Sequence, residues 1–420
     1  MKSFVWSPPA GFSWIFSRPI PSVMPIFLIV IFMITISCVN EEGKVPSITP
    51  VDPDATTETR ALLKNLEKIR HDHILFGHQD AMAYGVTWRD EENRSDVKDI
   101  TGSHPALYGW DLGHIEIEAE KNLDEVLFQD IRNWIIEAYE RGGVITLSWH
   151  LNNPATVDEL PEEHDPDEWE ATGSSWDTTP VIEEILPGGE YEEVYNDWLD
   201  KLAAFINTLT SEGASIPIIF RPFHEVTGHW FWWSAQVATP EEYIALWQYT
   251  VEALRDERGL HNLLYAYTPN TLNEMDSWDE FLKWYPGDDY VDIIGFDDYY
   301  TLQGGYGDDQ PVEKFSEMLS WLVNEAEKRD KVPVIGETGL EAVAIDDWYT
   351  NLLLEAIKSN PEAGRLAYVL AWRNANEETD RKDHFYVPYP GHPAESDFLK
   401  FTEDPMILLE NDLPDMYTSP

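Results

Sequence analysis

The chain has 420 residues, 43% of them hydrophobic, enough for one large core. Its 78 acidic side chains against 28 basic ones give a formal charge of -50, a field that repels nucleic acid and any polyanionic substrate. A neutral polymer is compatible with that field, and 18 Trp, 19 Tyr and 17 Phe are more aromatic surface than a core demands.

The first 37 residues read as a segment outside the fold. Lys2 and Arg18 flank an apolar run, Ile26–Ile36, that is short for a membrane span, and the single cysteine, Cys38, follows it directly. This resembles a bacterial lipoprotein signal. It implies that Cys38 carries lipid and that the protein sits at the cell envelope, lipid-anchored on the outer membrane or secreted. With Cys38 so used, no disulfide is available within the chain. Residues 38–57 are polar and proline-bearing and read as a tether, and 58–420 as the folded domain. Thr59 to Arg70 carries Leu62, Leu63, Leu66 and Ile69 at helical spacing.

From there the chain alternates. Apolar runs that end in polar or aromatic residues occur at His73–Asp80, Pro105–Asp111, Gly143–His150, Ile216–Glu225, His261–Asn270, Val291–Tyr299, Lys331–Gly339 and Ala367–Asn374. Amphipathic stretches lie between them, clearest at Leu123–Glu140, Val194–Leu209, Glu241–Arg255, Val312–Lys328 and Trp348–Ser359. Eight such units predict an α/β fold, a (β/α)8 TIM barrel in a single domain, with a long insertion at Leu151–Glu190 after the third strand. No G-x-G-x-x-G follows the first strand and no D-x-D-x-D-G calcium loop occurs, so no motif calls for a cofactor or a metal.

Barrel chemistry sits at the C-terminal ends of the strands. Those ends hold His78 and Asp80, Trp110 and Asp111, Trp149 and His150, Arg221 with His224 and Glu225, Asn270, Asp297 with Tyr299, Glu337, and Trp372 with Arg373. The densest is I-P-I-I-F-R-P-F-H-E-V-T-G-H-W-F-W-W, from Ile216 to Trp233. A carboxyl beside indoles suits a sugar site, because flat rings pack on the C–H faces of pyranoses while the acid moves protons. Two other readings compete. A zinc helix needs its second histidine four residues on; here it is His229, five on, and Gly228 with the tryptophans argues against a helix. Glu225 is alternatively a structural ion-pair partner of Arg221. The second carboxylate, Glu337 in V-P-V-I-G-E-T-G, ends the seventh strand as Glu225 ends the fourth. Glycoside hydrolysis needs two carboxyl groups across the scissile bond.

R-P-F-H-E-V-T-G-H-W-F-W-W with the downstream I-G-E-T-G resembles glycoside hydrolase family twenty-six, whose commonest activity is β-mannanase. F-G-H-Q-D, W-D-L-G-H, S-W-H-L-N-N-P, G-F-D-D-Y and A-W-R-N extend the likeness from about Thr57 to the C-terminus. The resemblance implies a retaining mechanism with Glu225 as acid/base and Glu337 as nucleophile. It implies sugar contacts from His150, His224, Trp230, Tyr299 and Trp372, with Arg373 nearby; His78 and Trp110, at the ends of the first two strands, join the candidates. Asp292 fits the family spacing before Tyr299, yet its mid-strand place suits a structural role equally. Tyr299 is the expected hydrogen-bond donor to Glu337, and His224 is expected to orient either Glu337 or a substrate hydroxyl. The implied substrate is a neutral β-linked polysaccharide of mannan type, met by a monomer that touches membrane only through its lipid. Related activities on mixed-linkage β-glucan or β-1,3-xylan, mannobiose release from chain ends, and a non-catalytic glycan-binding lipoprotein are the alternatives.

Overall fold

The computed structural model describes residues 48–160, 172–271, 278–303 and 310–420. Cys38 and the leader lie outside the described residues, as does the stretch 161–171 of the expected insertion. Eight parallel strands form the barrel, each fully buried: β1 (Ile74–Gln79), β2 (Leu107–Asp111), β3 (Val144–Trp149), β4 (Ile218–Pro222), β5 (Leu263–Tyr267), β6 (Ile293–Asp298), β7 (Val332–Thr338) and β8 (Tyr368–Ala371). Neighbours pair in chain order, and β8 pairs back onto β1 through Leu75↔Tyr368 to His78↔Ala371. The sheet is therefore closed and leaves no edge to protect. All eight strands expected from the sequence are present, each inside its expected range.

Side chains alternate between lumen and helix layer along each strand. Leu75, Leu107, Val144, Ile219, Leu264, Ile293, Val334 and Leu370, one from each strand, pack in one cluster with Leu62, Leu63 and Leu66. Those three leucines belong to the first helix, Thr57–Ile69, which so packs with lumen-facing residues of all eight strands. Thr56 caps it by accepting the Thr59 amide at 3.1 Å. Their strand neighbours Phe76, Tyr108, Ile145, Phe220, Phe296 and Val369 pack instead in the larger core with residues of helices Phe128–Glu140, Glu192–Ile206, Pro240–Glu252 and Pro311–Lys328.

The described domain begins before the expected boundary at 58. Ile48 is buried in the same cluster as the first helix, and the Val51 amide donates to Asp292 Oδ1 at 2.7 Å, so residues 48–57 are packed rather than a free tether. Two expected helices contain π-turns: one ends in Ala253–Glu257 and the other begins with Tyr349–Leu354. A short strand, Ile407–Leu408, pairs with the start of β1, far from its C-terminal end. Among the described residues, no helix is long and apolar enough to cross a membrane.

Candidate active site

The lumen-facing positions that follow the leucine layer are polar, and they converge at the C-terminal ends of the strands. Arg221 on β4 is almost fully buried. Its Nη1 donates to Asp297 Oδ2 on β6 at 2.9 Å and to Thr268 Oγ1 at 3.2 Å, while Nη2 donates to Glu337 Oε1. The inward turn of Glu337 has an identifiable cause. Between Ile335, opposite Phe296, and Glu337, opposite Asp297, β7 carries one extra residue, Gly336. This bulge shifts the alternation by one and sets Glu337 in register with Asp297. Only glycine fits there, since a Cβ would stand 2.4 Å from Asp297 Oδ1. Tyr299 donates its hydroxyl to Glu337 Oε2 at 2.7 Å, the bond expected from the sequence.

Glu225 follows a sharp departure from β4. Phe223 and Glu225 both sit at positive φ, 47° and 57°, and the Glu225 amide reaches across to the Thr268 carbonyl at 2.8 Å. Such backbone is unusual for non-glycine residues and accompanies functional sites. The twist parts Glu225 from Arg221, so the ion pair offered by the structural reading is not formed. Glu225 Oε2 instead accepts from Trp230 Nε1, and Oε1 from Asn270 Nδ2, each at 2.8 Å. Burial pushes the Glu225 carboxyl up to about 7, and repulsion from Glu337 adds to the rise; the two hydrogen bonds and Arg221 oppose it. Burial also raises Asp297 well above the carboxylate range against the pull of Arg221. One carboxylate oxygen from each of Glu225, Asp297 and Glu337 lies within 4.8 Å of the other two.

His150 and His224 meet through their Nε2 atoms at 3.1 Å, and His150 Nδ1 bonds Asp111 Oδ2 at 2.7 Å. Trp372 lies 6.3 Å, ring to ring, from His150. His224, a candidate to orient Glu337, faces His150 through this atom. Of the three tryptophans after Gly228, only Trp230 is partly exposed. Trp232 and Trp233 are buried and donate to the carbonyls of Leu151 and His224, so they brace the loop rather than face a ligand.

Other candidates fall elsewhere. Trp110 is on the helix-facing side of β2, stacked on Tyr108 at 5.8 Å and fully buried. His78 shares that alternation with Phe76 on β1, and burial lowers its imidazole to about 3. Neither presents a face to a ligand, because strand ends alternate and both stand one residue out of phase with the lumen. Arg373 is spent on the chain itself, with Nε on Asp124 Oδ1 at 2.9 Å, and Nη1 on Asp380 Oδ2 at 2.7 Å and the Tyr84 hydroxyl at 3.3 Å. Asp292 accepts the amides of Val51 and Tyr265 at the start of β6, a structural role.

Two contributors had no assigned role in the sequence reading. Asn270 stood at a strand end with nothing to mark it as a partner of Glu225. Trp176, inside the expected insertion, lies 6.3 Å from Trp230 with the rings 28° from parallel. Trp176 and Trp230 border a cleft of about 450 Å³ lined also by Thr172, Asp177, Thr178, His229 and Gln236. An aromatic amid an acidic, proline-rich loop was the available signal.

The glycosyl hydrolase family 26 model matches residues 51–359. The chain belongs to glycosyl hydrolase family 26. It is 41% identical to a GH26 β-mannanase from Bacteroides ovatus, with a TM-score of 0.76 over 86% of this chain and 98% of that one. The catalytic domain of a Bacillus sp. JAMB-750 GH26 endo-β-1,4-mannanase aligns at 32% identity, with a TM-score of 0.76 over 90% and 98% of the two chains. A mannan endo-1,4-β-mannosidase of Bifidobacterium adolescentis is 32% identical over 88% of this chain. The chain spans 37% of that relative's length. This family 26 domain thus carries the strand-four and strand-seven glutamates as an opposed, buried pair.

Proposed function

We propose that the protein is a retaining endo-β-1,4-mannanase acting on mannan, galactomannan or glucomannan. The observation that carries this is the unequal treatment of two facing glutamates. Glu225 is held by neutral donors, Trp230 and Asn270, with its carboxyl raised to about 7, as an acid must be to hold a proton near neutrality. Glu337 instead receives hydrogen bonds from a guanidinium, Arg221, and a phenol, Tyr299, which hold its two oxygens in place. Their oxygens approach within 4.8 Å, compatible with the close carboxyl spacing of double displacement, about 5–5.5 Å, and short of the spacing needed to seat a water between them.

In the first step Glu337 attacks the anomeric carbon while Glu225 gives its proton to the departing sugar oxygen, leaving a glycosyl-enzyme ester. In the second, Glu225 takes a proton from water, which attacks the same carbon and frees Glu337. Neighbouring Asp297 shares the same guanidinium, accepting from Arg221 Nη1 at 2.9 Å, and so fixes the arginine that holds Glu337. Trp230 and Trp176 offer ring faces along the cleft, and His150, His224, Tyr299 and Trp372 supply the polar and aromatic contacts nearest the pair. The mannan assignment leans on the relatives named above. Reducing-sugar release from mannan, lichenan and β-1,3-xylan, measured side by side, tests it: mannan should be cleaved fastest, and preference for either alternative would refute the substrate reading. The protein acts as a monomer, held at the cell envelope by lipid on Cys38; Cys38→Ala should release it from membranes, and a soluble wild type with an unmodified cysteine would contradict the anchor.

A further inference from the structure

We propose that three buried threonines, Thr227, Thr271 and Thr338, form with Asp298 a hydroxyl belt that sets the spacing of Glu225 and Glu337. The inference rests on the reading of these glutamates as acid/base and nucleophile. Each hydroxyl crosses one gap between consecutive strand ends. Thr227, in the loop after β4, donates to the Asn270 carbonyl in the segment after β5. Thr271, next in that segment, donates to Asp298 Oδ2 at the end of β6. Thr338, at the end of β7, donates to the Asp298 carbonyl at 2.7 Å. Each member stands beside the machinery: Thr227 is two residues past Glu225, Thr271 follows Asn270, Asp298 precedes Tyr299, and Thr338 follows Glu337. The belt thus runs from the acid to the nucleophile, and all four of its residues are buried.

The belt lies where the main-chain ladder weakens. Pairing of β4 with β5 ends at Phe220↔Tyr265, well before Glu225. Pairing of β5 with β6 ends at Tyr267↔Ile294 and returns as a single bridge, Asn270↔Asp297. Between β6 and β7 the register shifts at the Gly336 bulge, just before Asp297↔Glu337. Side-chain hydroxyls therefore add cross-links where the backbone supplies few. Asp298 is the node that joins two of them. Its Oδ1 also accepts the Tyr300 and Thr301 amides at 3.2 and 3.0 Å, and its Oδ2 the Thr301 hydroxyl at 2.7 Å. Those bonds turn the chain directly after Tyr299, the donor to Glu337 Oε2. At the other end, Thr227 and Thr271 flank the peptide that carries Asn270, the donor to Glu225 Oε1. By strand alternation Asp298 and Thr338 point away from the lumen that Asp297 and Glu337 enter. The belt therefore positions the pair from behind, and it acts through Asn270 and Tyr299.

The test uses valine, which keeps the branched shape of threonine and removes the hydroxyl. In the double variant Thr227→Val/Thr271→Val, Glu225 loses its fixed place relative to Glu337. Its kcat/KM on mannohexaose, which needs both carboxyls at once, should fall on the order of 100-fold. On a dinitrophenyl mannobioside, whose glycosylation needs Glu337 alone, the fall should stay within about 3-fold. Thr338→Val, beside the nucleophile, should instead lower both substrates alike, on the order of 10-fold. The corresponding Thr→Ser changes keep the hydroxyls and should recover most of each loss. Equal losses on the two substrates in the folded double variant, or no loss on either, would overturn the proposal, because a merely structural belt gives no leaving-group split. A crystal structure of the double variant supplies a readout independent of activity. The Glu225 carboxyl should move relative to Glu337 by more than about 0.5 Å, the tolerance of a catalytic constellation. Should that variant fail to fold, the structures of Thr227→Val and Thr271→Val singly decide the same point. Unmoved carboxyls would overturn the belt whatever the kinetics. A wild type that cleaves no β-glycan would instead count against the functional reading beneath it.

Discussion

Two buried arginines, Arg221 on β4 and Arg373 just past the end of β8, organise very different regions. Arg221 bonds Asp297 and Glu337, with a third carboxyl, Glu225, close by and raised to about 7. Arg373 bonds Asp124 and Asp380, with Asp80 close by and raised to about 8, chiefly by burial and repulsion from Asp124. A buried cation, paired carboxylates and one high-pKa acid are thus common to both, so these features alone do not mark an active site. The difference lies in what binds the spare acid and whether a ligand can reach it. Asp80 is completely buried, with the Tyr84 hydroxyl on it at 2.5 Å. Glu225 keeps 8% of its surface exposed beside a half-buried indole, and a second carboxylate faces it. Accessibility and opposition separate chemistry from scaffolding.

The sharpest way to break this comparison is to remove one residue from each region. Glu337→Ala should lose on the order of 10³-fold or more in kcat/KM on mannan and aryl mannobiosides alike, because no leaving group replaces a missing nucleophile. Glu225→Ala should lose mannan but keep substantial glycosylation of a dinitrophenyl mannobioside, whose departure hardly needs a proton. Equal losses on both substrates in Glu225→Ala would remove the distinction between the glutamates. Arg373→Ala should act on stability instead. It strands Asp124 and Asp380, at a cost of about 3–5 kcal/mol by denaturant titration, with a smaller effect on folded-state kcat/KM than Glu337→Ala. A variant as stable as wild type would show that the second cluster does not hold the fold.

Trp230→Ala should cost about 1–3 kcal/mol in transition-state binding, through a lost stacking face and a lost hydrogen bond to Glu225. Unchanged kcat/KM would place Trp230 with the bracing Trp232 and Trp233. The smallest effect is in pH. Because Glu225 must hold its proton, kcat/KM on mannan should fall as pH rises through about 7. Asp80 and Glu225 both have folded pKa values above their unfolded ones, so the folded state binds more protons. Their stabilisation is complete below about pH 4 and is lost as pH rises towards 7 and 8. Asp80→Asn should flatten that decline; an unchanged slope in denaturant titrations across pH 4–8 would contradict the raised Asp80.

How far the sequence alone reaches follows the same divide. All eight strands were visible because each is an apolar run closed by polar residues, and the opposed glutamates followed from their places on the fourth and seventh. Alternation at the mouth was not readable to one residue. His78 and Trp110 therefore seemed to line the site, whereas their neighbours' parity sends them toward the helices. The bulge at Gly336 has the opposite effect, bringing Glu337 inward where a regular strand would turn it out. Positive φ at Phe223 and Glu225 leaves no trace in residue type, so the separation of Glu225 from Arg221 was invisible. Asn270 and Trp176 reach the site through tertiary contacts that no local pattern encodes.

The central claim is that Glu225 and Glu337 act in sequence on one sugar carbon, by double displacement. The anomer first released from a mannooligosaccharide tests it most directly, followed by ¹H NMR before mutarotation blurs the signal. Two inversions should yield the β-anomer first, drifting later to equilibrium. If the α-anomer appears first, water rather than Glu337 attacks the substrate, and the account of this pair is wrong.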